Sequence, residues 1–79
     1  RLVNEFGAPV ELVGTTYTLA RRTDAESAVK LRTMRGVRVL ARADGSLLAL
    51  FESPYWVERL ESEHPDLVLD RLVAEGRQG

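Results

Sequence analysis

Cysteine is absent from the chain, which excludes disulfides and thiolate-based metal sites. His64 is the single histidine, too few for an imidazole-built zinc site. The six glycines are scattered at turn positions and form no phosphate-cradling loop. No apolar run approaches the roughly 18 residues of a membrane span, and nothing reads as a signal peptide. The expectation is a cytoplasmic protein without metal or cofactor.

What is present is a single domain of 79 residues, with 44% hydrophobic and 29% charged residues, a globular composition. A chain this short buries only about 60% of its unfolded surface, so a partner subunit is the expected source of further stability. The net charge of −1 hides a split. Residues 20–42 carry seven basic side chains (Arg21, Arg22, Lys30, Arg32, Arg35, Arg38, Arg42) against Asp24 and Glu26, a local +5. Residues 43–79 carry three basic side chains against eight acids, a local −5. A local +5 attracts a phosphate backbone even in a slightly acidic chain; a solvated face is the bland alternative.

Residues 1–14 read as an irregular lead-in, apart from a β-branched stretch from Val10 to Ala20 that is one bulged strand or two short ones. Strand is expected at Thr15–Ala20. A helix follows: Thr23 with Glu26 forms a capping-box pattern, with Asp24 as the alternative cap. Ala25, Ala28 and Val29 supply its apolar spacing, and Gly36 its left-handed end. The basic residues near that end complement the helix dipole, a structural role that competes with phosphate contact. "VRVLARADGSLLALF" then alternates, turns at Asp44-Gly45 and returns as a buried strand, which makes a hairpin. Ser53 and Pro54 open a second helix with Trp56, Val57 and Leu60 on one face. After Pro65, "DLVLDRLVAEG" is expected to be helical, as a separate helix or a kinked continuation. The fold class is therefore α+β, a small β-α-β-β-α(-α) domain with an antiparallel hairpin.

Catalysis finds little material. Acid–base or nucleophilic work needs matched groups within hydrogen-bond reach. His64 lies in "SEHPD", a helix boundary, and Glu61 and Asp66 read as solvent-exposed carboxylates without a pocket. Trp56 reads as core or dimer packing in preference to a base-stacking platform. The apolar stripe Leu67, Val68, Leu69, Leu72 and Val73 reads either as intramolecular packing or as a helix for a partner's groove.

The segment "VRVLARADGSLLALFESPYWVERL" reproduces a recognisable frame. Arg42 precedes the turn, Gly45 is the turn glycine and Ala49 the strand alanine. Ser53 caps the next helix, and Glu58-Arg59-Leu60 supplies an "ERL". Upstream, Ala20-Arg21 matches an "AR" that lies near the start of a helix. Over about residues 16–63 the chain resembles the Phd/YefM family of bacterial antitoxins. The resemblance implies a homodimer that pairs hairpins and second helices, with Trp56, Val57 and Leu60 as dimer or core residues. It implies an amino-terminal region (residues 15–63 with the dimer contacts) that binds operator DNA, with Arg21, Arg22, Lys30, Arg32 and Arg35 as candidates. It also implies a C-terminal segment, residues 64–79, that wraps a cognate toxin. The alternative is a small protein-binding adaptor or inhibitor domain that does not bind nucleic acid.

Overall fold

The computed structural model of the chain describes residues 10–71. Their order is β1 (Val10–Leu12), β2 (Thr15–Tyr17), β3 (Leu19–Thr23), α1 (Ala25–Leu31), β4 (Val37–Ala41), β5 (Leu47–Phe51), α2 (Pro54–Glu63) and β6 (Asp70–Arg71). This is an α+β fold. β1 and β2 form a small hairpin of their own, while the main sheet is antiparallel with strand order β4-β5-β3-β6. The first helix carries the chain from β3 to β4 across β5, so the strand formed last in the hairpin is inserted between its two predecessors.

The central position of β5 explains its composition. Four of its five residues, Leu48–Phe51, are completely buried, because both faces of the strand are covered. Leu48 and Leu50 pack with Ala20, Tyr17, Leu12 and Leu40 on the face covered by the β1–β2 hairpin. Ala49 and Phe51 pack with Leu31, Val57 and Leu60 on the face covered by the helices. A strand buried on both sides reads as a continuous apolar run instead of an alternating one. β4, with one neighbouring strand among the described residues, sets Val37 and Val39 on the helix side and Leu40 on the other.

Local signals set the boundaries. Asp24, not Thr23, caps α1: its Oδ1 accepts from the Ser27 N–H at 2.8 Å. The Asp24 side chain sits one position closer to the first helical amides, and Thr23 is committed elsewhere. α1 ends at Leu31, earlier than Gly36 implies, because Thr33 and Met34 close i→i+3 turns onto Lys30 and Leu31. Gly36 then takes φ +78, with the Trp56 indole lying against its α-carbon. In the hairpin, the Gly45 N–H donates to the Arg42 carbonyl at 3.0 Å with Gly45 at φ +92, the three-residue loop in which glycine relieves a left-handed position. Pro54 opens α2 after Ser53, whose side chain makes no capping hydrogen bond.

Three expectations are corrected. Val10–Leu12 is a strand, so the lead-in is not irregular throughout; its partner is β2, in register Val10 to Tyr17. The strand expected at Thr15–Ala20 divides at Thr18, and Ala20-Arg21 lies inside β3, just ahead of α1. Residues 64–71 are not helical: they turn after His64 and run out as β6, pairing with β3. The cause is the pair of buried hydroxyls that Thr23 and Ser27 present to this segment. Thr23 Oγ1 donates to the Val68 carbonyl at 2.6 Å, and the Val68 N–H donates to Ser27 Oγ at 2.9 Å. Both backbone groups of Val68 are thereby bonded to side chains instead of to a helical ladder.

Candidate functional site

The arginines that lead the DNA-binding candidates do not share a surface. Arg21 and Arg22 are consecutive on β3, which lies between β5 and β6, so they point to opposite faces of the sheet. Arg21 pairs across from Ala49 on the helix side and is half-buried, its Nη1 donating to the Ala20 carbonyl at 3.1 Å. Arg22 pairs across from Leu48 on the hairpin side and is exposed. Lys30, Arg32 and Arg35 are all exposed, but each lines a different depression. Lys30 faces Asp24, Glu26 and Asp66, and Arg35 faces α2 beside Trp56 and Glu63.

The partner-binding candidates are largely used inside the chain. Leu67 and Leu69 pack against the helix-side core, and Val68 is the strap residue held by Thr23 and Ser27. Leu72 and Val73 lie outside the described residues. Val57 and Leu60 are buried in the same core, and Trp56 is half-buried, packed against Gly36 and edge-on to Tyr55 at 4.9 Å. On the outer side of α2, Arg59 donates to Glu63 Oε2 at 2.8 Å and to the Tyr55 hydroxyl at 2.7 Å. Those two partners, Glu63 first, raise the Arg59 pKa above its ordinary value. His64 ends this helix with its backbone N–H on the Leu60 carbonyl at 2.7 Å.

The structure instead brings Arg32 to Arg38. Both line a groove of about 400 Å³ whose other walls are Tyr17, Val37 and Val39. Arg32 caps the C-terminus of α1 on one side of the sheet; Arg38 leaves β4 on the other, in register with Leu50. Among the described residues neither arginine enters an ion pair. Between them runs the outer edge of β4, which has no neighbouring strand among the described residues.

The hydrogen-bond phase of that edge is fixed at both ends. The Glu52 N–H donates to the Gly36 carbonyl at 3.0 Å, and the Arg42 N–H donates to the Ser46 carbonyl at 2.8 Å. Antiparallel bonding alternates, so the even-numbered residues of β4 bond to β5. Val37, Val39 and Ala41 therefore turn their N–H and C=O groups outward. Val37 and Val39 also set half-buried side chains on the helix side, flanking Arg38 on the other.

Arg38 and this row of backbone groups were not singled out by residue type. The alternation of Val37, Arg38 and Val39 is visible in the sequence, but the strand order that leaves β4 at an edge is not. Among the described residues no group of three or more His, Cys, Asp or Glu side chains is arranged to hold a metal. No helix among them is long and apolar enough to cross a membrane. No family model matches the chain, and neither a curated protein nor a solved structure matches it.

Proposed function

We propose that the chain is a non-enzymatic binding module that receives another protein along the outer edge of β4. The observation that carries this reading is the outward row of N–H and C=O groups from Val37, Val39 and Ala41, flanked by exposed Arg32 and Arg38. An unpaired edge is a template onto which a partner adds a strand, main-chain hydrogen bonds giving affinity and flanking side chains giving choice. In the antitoxin-like frame that residues 16–63 resemble, the protein partner is a toxin. Leu67 and Leu69 pack against the chain's own core, which supports β4 over that part of the stripe as the contact.

The test is purification of the chain expressed with its genetic neighbours, beside a Val39→Pro variant. Proline removes an outward donor while sparing the ladder to β5, a substitution that edge strands accept. A stoichiometric protein that accompanies the parent chain and is lost from the variant is the expected result. A partner retained equally by a folded Val39→Pro chain overturns the edge as its docking surface.

Operator DNA is the second reading, favoured by one observation. No acidic residue occurs from Ser27 to Ala43, and Lys30, Arg32, Arg35 and Arg38 are exposed without an ion pair among the described residues. On this reading the chain shifts duplex DNA from its own upstream region at low salt. Arg32→Ala with Arg38→Ala then flattens the salt dependence by roughly two units, about 0.9 per lost phosphate contact. No shift at low salt rejects it. Light scattering tests the homodimer that the antitoxin resemblance implies.

A further inference from the structure

We infer that the strand β4 receives is acidic, and specifically that it places a carboxylate beside Arg38 and apolar side chains beside Val37 and Val39. The inference rests on the reading of β4 as a protein-docking edge and names the chemistry of the occupant.

Alternation dictates the pattern. A strand added to β4 has its own side chains alternating between the two faces in step with those of β4. On the helix face its neighbours are Val37 and Val39, half-buried and continuous with the core that holds Phe51 and Leu31. On the opposite face its neighbour is the exposed guanidinium of Arg38. The complementary sequence is an apolar–acid–apolar triplet. Arg32, at the end of α1 and in the same groove, adds a second positive charge beside the incoming backbone. Arginine accepts a carboxylate through two parallel N–H donors, which fixes orientation as well as sign.

Charge complementarity also selects against two other occupants of this edge, which has no neighbouring strand among the described residues. A second copy paired antiparallel about Val39 would bring the two Arg38 side chains to diagonal neighbouring positions. With Arg32 from each copy, four guanidinium groups would then crowd one seam, and like charges across strands are unfavourable. Charged side chains on an edge commonly keep identical copies apart, and here the same charges admit an acidic guest. Duplex DNA satisfies the charges but has no use for the outward carbonyls of Val37, Val39 and Ala41, nor for the two valine side chains.

The experiment uses the whole chain, labelled with ¹⁵N, and three capped heptapeptides in which valine alternates with glutamate, threonine or lysine. The glutamate peptide is expected to shift the amide signals of Val37, Val39 and Ala41 in preference to the rest. The lysine peptide should bind at least about tenfold more weakly, and Arg38→Glu should reverse that order. N-methylation of alternate glutamate-peptide amides should abolish the shifts. Equal binding of the threonine and glutamate peptides through those amides overturns the acidic partner and leaves the docking edge standing. If no peptide moves the three amides, both readings fall. A DNA duplex that displaces the glutamate peptide's effect entirely, while N-methylation leaves it unchanged, assigns the charges to phosphate and overturns the strand. A dimer whose Val37 and Val39 amides are already protected from exchange overturns it in favour of a second copy.

Discussion

At Gly36, a Cβ would stand 2.7 Å from three atoms of the Trp56 indole, at a backbone φ of +78. Both the left-handed backbone and the close aromatic contact forbid a side chain there, for independent reasons. The left-handed penalty alone is about 1–2 kcal/mol for an alanine, and displacing the indole adds to it. Gly36→Ala should therefore cost at least about 2 kcal/mol. Denaturant unfolding followed by Trp56 fluorescence reads it, since Trp56 is the single tryptophan. The opposite sign is expected at Val13. This residue has φ +50 in the β1–β2 turn and is 86% exposed, so its side chain gains nothing for the strain it bears. β-Branched residues are outliers in that region, whereas asparagine adopts it readily. Val13→Asn should stabilise by about 1 kcal/mol, of the order of the relieved left-handed penalty. A melting temperature that falls would show the hairpin tip to be held by contacts of the valine.

Between elements, two small polar devices decide conformations that propensity leaves open. Asp44 Oδ1 accepts from the Ser46 N–H at 2.9 Å and the Ser46 hydroxyl at 2.7 Å, closing the β4–β5 turn. Those two bonds, the hydroxyl first, lower its pKa below the ordinary aspartate value. A depressed carboxylate stabilises the fold above its unfolded pKa, and the contribution fades as pH falls through the folded value. The stability difference between the parent chain and Asp44→Ala should therefore be present at neutral pH and shrink in acid; a difference constant down to strongly acidic pH would reject the assignment. The second device is the Thr23–Val68–Ser27 clamp. Ser27→Ala leaves the Val68 N–H without its acceptor, at a cost of about 1–3 kcal/mol, and should accelerate hydrogen exchange at Val68 before that of β5. These devices also mark where the sequence was readable. The hairpin and α2 were legible because their signals are local: alternation, Asp44-Gly45, Ser53-Pro54. β6 was not, because what holds Val68 beside β3 and α1 is a pair of hydroxyls more than forty residues earlier. The helical spacing assigned there drew on Leu72 and Val73, outside the described residues, while Leu67 and Leu69 keep the period of a strand. The candidate site divides the same way. Arg32 and its charge were visible, whereas the edge that gives Arg38 its meaning depends on β5 inserting between β3 and β4.

For the whole molecule, that insertion makes one strand serve two cores. Leu48 and Leu50 anchor the hairpin side and Ala49 and Phe51 the helix side, so neither layer keeps its floor when β5 leaves. With no cysteine to staple the layers, a domain of this size has a margin of about 5 kcal/mol or less. Leu50→Ala removes a side chain that is wholly buried, and substitutions of that kind cost about 2–5 kcal/mol. The loss falls on the hairpin face, yet the layers share β5 and should lose structure together. Trp56 fluorescence reports the helix side, and the ring signals of Tyr17 report the hairpin side. Their denaturant midpoints should coincide in the parent chain and move down together in Leu50→Ala, as a two-state unit requires. If the Tyr17 signals are lost at lower denaturant while Trp56 holds its native emission, the hairpin is a separable layer and β5 does not couple the two cores. Coincidence would mean that β4, bonded to β5 along its whole length, presents its outer edge only while the entire domain is folded.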